Sequence, residues 1–94
     1  MQDLHFTWDP KKATANRQKH GVSFEEASTA FRNLLATVLP DPTHSGQEER
    51  WLLIGNSAAG RLLLVVFTER VDRIRIISAR ETSARERREY EEHS

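Results

Sequence analysis

The stretch KHGVSFEEA at residues 19–27 decides the fold, because one helix ends and a second begins within it. Gly21 can take the left-handed backbone conformation that closes a helix, since it has no Cβ to clash with its neighbours. Ser23 is predicted to cap the second helix, and Glu26, three residues later, completes the signature of a capping box. The stretch therefore predicts a rigid corner between two helices.

Two titratable side chains, Lys19 and His20, stand at this corner. Both are predicted in the last turn of the first helix, where the helix dipole favours a cation. A rigid corner that holds a Lys and a His is a candidate functional site. The alternative is that two solvated side chains simply stabilise the end of a helix.

The helix before the corner is predicted to span Pro10–His20, with Asp9 as its N-cap and Pro at the first helical position. It is nearly free of large apolar side chains, so we expect it to be displayed rather than buried. One polar face is either solvated or turned towards a ligand. That face carries Lys12, Asn16, Lys19 and His20.

The helix after the corner, from Phe24 to about Asn33, has the opposite character. Its apolar residues follow the spacing i, i+3, i+7, i+11, which is typical of a buried helix face. They are therefore assigned to the core rather than to a cofactor site. The stripe consists of Phe24, Ala27, Phe31 and Leu35.

The remaining segments predict strands and a last helix. Short links between the last three strands require an antiparallel meander. Ser83 and Glu86 repeat the capping-box signature and begin the last helix. The order is β-α-α-β-β-β-β-α, an α+β domain with a single antiparallel sheet over residues 1–94. The predicted strands are Leu4–Trp8, Ala36–Leu39, Arg50–Ser57, Arg61–Arg70 and Arg73–Arg80.

Composition excludes several functional classes. The 94 residues contain no cysteine, which rules out disulfides, thiol catalysis and cysteine-based zinc sites. The N-terminal residues have neither a basic nor an apolar region, so no signal peptide is predicted. The longest apolar run, Leu62–Phe67, is far too short for a membrane span. We expect a cytoplasmic protein.

A polar segment, HSGQEER at residues 44–50, places His44, Ser45 and Glu48 close together. The histidines lack H-x-x-x-H spacing and a third ligand in register, so no metal site is predicted. Ser45 lacks the G-x-S-x-G turn of a serine hydrolase. The glycines are scattered and form no phosphate-binding loop. We therefore expect neither a metal nor a cofactor.

The charged residues balance to a net charge of zero, yet 11 of the 14 basic residues are arginine. Seven of these lie between Arg70 and Arg88. Arginine binds phosphate in bidentate fashion, whereas lysine acts as a point charge. Acidic residues in the same window offer the alternative of ion pairs on a solvated surface. They are Asp72, Glu81, Glu86 and Glu89.

A metal-free set of Lys, His, Glu, Arg and Tyr side chains is chemically sufficient to cleave RNA. That reaction needs a base for the 2′-hydroxyl, an acid for the leaving 5′-oxygen and cations to stabilise the phosphorane. Arginine and lysine can supply the positive charge, so the reaction does not require a metal.

Four motifs, in order along nearly the whole chain, resemble the BrnT family of bacterial type II toxins. They are WDPKKAxxNxxKHGVSFEEA from Trp8, HSxxExR from His44, IGxSxxGR from Ile54 and RIISAR from Arg75. The resemblance implies a RelE-like fold and a ribonuclease that inhibits translation. It also implies a ribbon-helix-helix antitoxin of the BrnA kind, through which the pair represses its own operon.

The resemblance also implies roles for individual residues. Lys19 and His20 become candidates for base, acid or phosphate contact, and Glu48 for a base or for the group that orients His20. Arg61 and Arg80, at strand ends on one edge of the sheet, are expected to grip one phosphate. Tyr90 is expected to stack on a base or to donate a proton.

Other polar residues are expected to contact RNA without taking part in the chemistry. These are Lys12, Asn16, Arg50 and Arg87. Structural roles are the alternatives for several site residues: Glu48 pairs with Arg50, Arg80 caps the sheet, or Tyr90 joins the core. At the level of the whole chain, the alternative is a non-enzymatic binding module or an inactive homologue that acts only with a DNA-binding antitoxin.

Overall fold

The computed structural model describes residues 4–42 and 48–93. The predicted order of elements and the α+β class are confirmed. The elements are β1 (Phe6–Thr7), α1 (Pro10–His20), α2 (Phe24–Thr29), a 3-10 turn (Ala30–Arg32), β2 (Thr37–Pro40), β3 (Trp51–Asn56), β4 (Leu62–Glu69), β5 (Ile74–Glu81) and α3 (Ala84–Glu92).

The strands form a single sheet in the order β1-β5-β4-β3-β2. The pairs from β2 to β5 are antiparallel, and the short links between β3, β4 and β5 require this for the last two pairs. The sheet as a whole is mixed rather than wholly antiparallel, because β1 pairs parallel with β5, Phe6 opposite Ile74. This pairing joins distant parts of the chain, so no local turn signal in the sequence predicts it.

The corner between α1 and α2 forms as predicted. Gly21 has a positive φ of 69°, and its N–H donates to the carbonyl oxygen of Arg17. Ser23 caps α2, with its Oγ accepting a 3.0 Å hydrogen bond from the Glu26 N–H. The second half of the predicted capping box is absent, since the Glu26 carboxylate is engaged with other residues.

The second helix is shorter than predicted. It ends at Thr29 and continues only as the 3-10 turn. Phe24 and Ala27 are fully buried, and the Phe31 ring packs edge-on between Phe6 and Phe67. Leu35 is 66% exposed, so its assignment to the core is wrong. The helix has ended before this position, and the helical spacing no longer applies there.

The two faces of the sheet are covered differently. We call the face against α1 and α2 the inner face; it buries Leu63, Val65 and Ala79 in the core. Leu64 and Arg80, which are register partners, lie on the opposite face, because successive side chains alternate along a strand. We call this the outer face. It carries α3, a helix with no buried residue.

Candidate functional site: an arginine at the helix corner

Arg61 stands immediately before β4 and reaches the corner between α1 and α2. Its Nε donates to Oε2 of Glu26 at 2.9 Å, and its Nη2 donates to the other oxygen of the same carboxylate. Nη2 also donates to the carbonyl oxygen of Gly21 at 3.0 Å. Two elements therefore fix the guanidinium on the inner face of the sheet.

The Glu26 carboxylate holds the Arg61 guanidinium in place and is itself held by a second hydrogen-bond donor. It accepts a 2.7 Å hydrogen bond from the Ser57 hydroxyl in addition to the bonds from Arg61. The hydrogen bond from Arg61 lowers the pKa of Glu26, against the opposing effect of burial. The same bond raises the pKa of Arg61. Both groups are therefore charged over the whole physiological range.

One edge of the Arg61 guanidinium remains accessible. Its Nη1 has a single long contact among the described residues, 3.4 Å to Oε2 of Glu81. The Glu81 side chain is 56% exposed, and exposed pairs of this kind are weak. An anion can therefore replace Glu81 at Nη1 while Glu26 continues to hold Nε and Nη2.

Lys19 and His20 belong to the corner that Arg61 reaches. They occupy the last turn of α1, directly before the Gly21 carbonyl that Arg61 binds. Lys19 is exposed and His20 is half-buried. The structure thus brings two segments to one corner: the last turn of α1, which carries Lys19 and His20, and the start of β4, which Arg61 precedes.

Arg80 and Tyr90 belong to a different group, on the outer face. Both terminal nitrogens of Arg80 bind the Glu86 carboxylate, at 2.8 and 2.9 Å. The Tyr90 hydroxyl donates to the carbonyl oxygen of Leu35. These contacts attach α3 to the sheet and to the segment before β2.

The structure favours separate roles for Arg61 and Arg80 over the expected shared grip on one phosphate. Both stand at the same end of neighbouring strands, but Arg80 projects from the outer face, whereas Arg61 reaches the helix corner of the inner face. Both also contact Glu81, Arg61 at the carboxylate and Arg80 at the backbone carbonyl oxygen. Each guanidinium is held by its own glutamate, Arg61 by Glu26 and Arg80 by Glu86. Successive side chains alternate between the two faces along a strand, and this alternation separates the two arginines.

Glu48 lies too far from the corner to orient His20. It pairs with Arg70, at 2.9 Å, beyond the last residue of β4, whereas Arg61 precedes the first. The strand between them spans roughly 25 Å at the usual rise per residue. Glu48 pairs with neither His20 nor Arg50. Its sequence neighbours His44 and Ser45 lie outside the described residues.

Asn16, expected to contact RNA, is instead a buried structural residue, 8% exposed. Its Nδ2 donates to the carbonyl oxygens of Val22 and Ala79, at 3.0 and 2.8 Å. Its Oδ1 accepts from the Ala79 N–H at 3.1 Å. The amide therefore ties α1 to β5 and to the residue after the corner, and its hydrogen-bonding capacity is used within the fold.

The other expected RNA contacts lie on separate elements. Lys12 is exposed on α1, and Arg50 is half-buried just before β3. Arg87 is exposed on α3, with its Nη1 4.0 Å from Glu91 Oε2. Their roles stay predictions.

Glu26 is the residue that sequence reasoning missed. Its position three residues after Ser23 is fully explained by a capping box, so the sequence signal concealed its second role. Nothing local indicates a partner 35 residues away. Only the three-dimensional structure shows that this carboxylate binds Arg61.

The described ranges contain no group of three or more acidic or histidine side chains arranged to hold a metal ion. Within the same ranges, no helix combines the length and the apolar character needed to cross a membrane.

Comparison with known proteins identifies the family. The family model of the ribonuclease toxin BrnT of type II toxin–antitoxin systems matches residues 8–86. The crystal structure of the Brucella abortus ribonuclease toxin BrnT is 28% identical, with a TM-score of 0.67, and the match covers 86% of this chain and 99% of that one. No curated protein matches the chain. The chain belongs to the BrnT family of ribonuclease toxins of type II toxin–antitoxin systems.

Proposed function

We propose that this chain is an endoribonuclease that cleaves RNA without a metal ion and so inhibits translation. The observation that carries the proposal is the Arg61 guanidinium, which Glu26 and Gly21 hold at the corner directly after Lys19 and His20 in the chain. Its Nη1 has only a long contact, to Glu81, among the described residues. Family membership supplies the reaction class, cleavage of RNA.

The chemistry is attack by a 2′-hydroxyl on the adjacent phosphorus. A base removes the hydroxyl proton, the 2′-oxygen–phosphorus bond forms and the bond to the 5′-oxygen breaks. An acid protonates the departing 5′-oxygen, which leaves a 2′,3′-cyclic phosphate and a 5′-hydroxyl. His20 serves as base or acid, and Lys19 contacts the phosphate or donates the proton. Arg61 Nη1 stabilises the extra negative charge of the phosphorane.

The test is RNA cleavage by the purified protein in EDTA, with analysis of the product ends. We expect cleavage with 2′,3′-cyclic phosphate ends, and a large loss of rate in His20→Ala. Gln18→Ala, on the exposed surface of the same helix, is the matched control and should keep the wild-type rate. Cleavage that stops in EDTA and returns with Mg²⁺ would overturn the metal-free mechanism.

One observation favours a second function. Arg61 and Arg80, the arginines expected to bind phosphate, are both paired with glutamates inside the fold. Such pairing suits a binding module or an inactive homologue that acts only with its antitoxin. No cleavage by folded protein, with or without Mg²⁺, would select this alternative.

We further propose that the partner is a ribbon-helix-helix antitoxin of the BrnA kind, through which the pair represses its operon. The support is the type II family, whose toxins have an antitoxin partner. Expression of the chain alone should arrest growth, and co-expression of the antitoxin should restore it. Unchanged growth and bulk translation in cells that contain soluble, folded protein would contradict a toxin function for this chain.

A further inference from the structure

We propose that a cavity at the opposite end of the sheet from Arg61 binds the phosphate backbone of the RNA. The cavity has a volume of about 440 Å³ and lies where β1 ends and where the turn joins β4 to β5. Its lining consists of Thr7, Arg70, Arg73 and Arg75. Three guanidinium groups and a hydroxyl, with no carboxylate in the lining, form a cavity suited to an anion.

Arg75 is the central residue of this cavity. It is register partner to Thr7 on β1 and to Thr68 on β4, so all three project from the outer face. Its side chain has no hydrogen bond or ion pair among the residues the structure describes. Thr68 does not engage it either, because the buried Thr68 hydroxyl lacks any partner within the same ranges. The fold thus holds a half-buried guanidinium whose donors are unused.

The two carboxylates that pair with arginines of the cavity are weakly held. Glu48 pairs with Arg70 at 2.9 Å, and both side chains are about half exposed. Asp72 approaches Arg73 only to 3.6 Å and is 80% exposed. Exposed pairs of this kind contribute little to stability, so a phosphate can exchange for either carboxylate. The Arg61 pair differs, since Glu26 is 17% exposed and binds in bidentate fashion.

The position of the cavity has a consequence for the substrate. Arg61 and Arg70 flank the two ends of β4, roughly 30 Å apart at the usual rise per residue. A single RNA strand that contacts both must run the length of β4 and also pass from the inner face, where Arg61 is held, to the outer face, where Arg75 projects. The site is therefore suited to an extended single strand rather than to a short oligonucleotide, and this inference rests on RNA being the substrate, as proposed above.

The test measures binding separately from cleavage. A fluorescent single-stranded RNA with 2′-O-methyl groups lacks the attacking hydroxyl, so its anisotropy reports affinity alone. Arg75→Gln should weaken binding several-fold and lower the slope of log affinity against log salt by about 0.7, the value for one phosphate contact on a single strand. Arg73→Gln combined with Arg75→Gln should lower it by about 1.4.

The matched control is Arg88→Gln, an exposed arginine of α3 with the same change in charge. It should leave the slope close to that of the wild type, and circular dichroism should show that all variants are folded. Equal slopes and affinities for Arg75→Gln and Arg88→Gln would overturn the inference. So would a loss of antitoxin affinity in Arg75→Gln with unchanged RNA binding, which would assign the cavity to an acidic protein segment.

The two proposals fail in different ways. If Arg75→Gln weakens binding of the uncleavable RNA while natural RNA stays intact, only the proposed nuclease function is wrong. If natural RNA is cleaved and Arg75→Gln changes neither KM nor the salt dependence, only the cavity assignment is wrong. A KM that rises only for RNA long enough to span β4 supports both.

Discussion

The corner before α2 and the start of α3 carry the same local signature, yet they use it differently. Ser23 with Glu26, and Ser83 with Glu86, both read Ser-x-x-Glu at a helix start. At α3 the capping box is complete, and the Glu86 carboxylate also binds Arg80. At α2 only the serine half forms, because Arg61 and Ser57 take the Glu26 carboxylate.

The difference shows that a tertiary partner outweighs a local motif. Glu86 meets an arginine only six residues away and can serve helix and sheet together. Glu26 binds an arginine that precedes a distant strand, and its carboxylate does not bind the backbone N–H of Ser23. The first pair attaches α3 to the sheet. The second holds an arginine at the corner where α1 ends with a lysine and a histidine, which is why we propose the chemistry there.

Of the two glutamates, Glu26 should give the larger effect. Glu26→Gln removes the charge that orients Arg61, and we expect a loss of roughly a hundredfold in kcat, the usual cost of a misplaced catalytic group. Glu86→Gln, the matched change at α3, should keep kcat within about threefold because it acts on the other face. Single-turnover cleavage of both variants makes the comparison. Equal losses would mean that the two pairs do not differ in role.

Asn16 tests how the corner is supported. Asn16→Ala leaves backbone groups of Val22 and Ala79 without partners and should cost about 2 kcal/mol of unfolding free energy. Lys12→Ala, on the exposed side of the same helix, should stay within about 0.5 kcal/mol of the wild type. Urea unfolding measures both. A stable Asn16→Ala variant would show that the corner does not depend on this amide.

The pH dependence of stability should report mainly on the α3 pair. The hydrogen bond from Arg80 lowers the pKa of Glu86 from 4.5 to about 2, despite partial burial. Because the folded pKa lies below the unfolded one, the pair stabilises the fold above about pH 4.5, and this contribution is lost as the pH falls towards 2.

After allowance for solvent screening, since Arg80 is 40% exposed, we expect this contribution to be on the order of 1 kcal/mol. Denaturant unfolding at pH 6, 4 and 3 should therefore show a smaller loss of stability in Glu86→Gln than in the wild type. Parallel pH profiles for the two proteins would argue against the low pKa.

The smallest effect should come from Tyr90. Tyr90→Phe removes the hydrogen bond to the Leu35 carbonyl and should cost about 0.5–1 kcal/mol, felt locally in α3. Amide hydrogen exchange should accelerate in α3 and remain unchanged in α1. Faster exchange at the α1 corner would show that the two regions are coupled.

Local chemistry made much of the fold predictable. Asp9, Gly21 and Ser23 fix helix ends through contacts within a few residues, and the short links fix the antiparallel meander. What the sequence left open depends on distant partners. The pairing of β1 with β5, the buried amide of Asn16 and the capture of Glu26 by Arg61 join segments that no local pattern connects.

The sequence predicts only part of the candidate site, because the rest depends on contacts between distant segments. The helix end at Gly21 predicts the positions of Lys19 and His20, and the start of a strand predicts that of Arg61. The structure brings the backbone of these residues to one corner. The sequence places Arg80 in the same site through its strand end, and Glu48 only through the family resemblance. Arg80 is separated from the helix corner because it lies on the other face of the sheet, and Glu48 because it lies at the far end of β4.

The most direct test of the account compares Arg61→Lys with Arg80→Lys in RNA cleavage. Lysine keeps the charge near each glutamate but cannot bind in bidentate fashion or present a second nitrogen to phosphate. We predict that Arg61→Lys lowers the cleavage rate by roughly 10²–10³, the cost of losing one donor to the transition state, whereas Arg80→Lys loses less than tenfold. Equal rates in the two variants, or a larger loss in Arg80→Lys, would contradict the assignment of the active site to the helix corner.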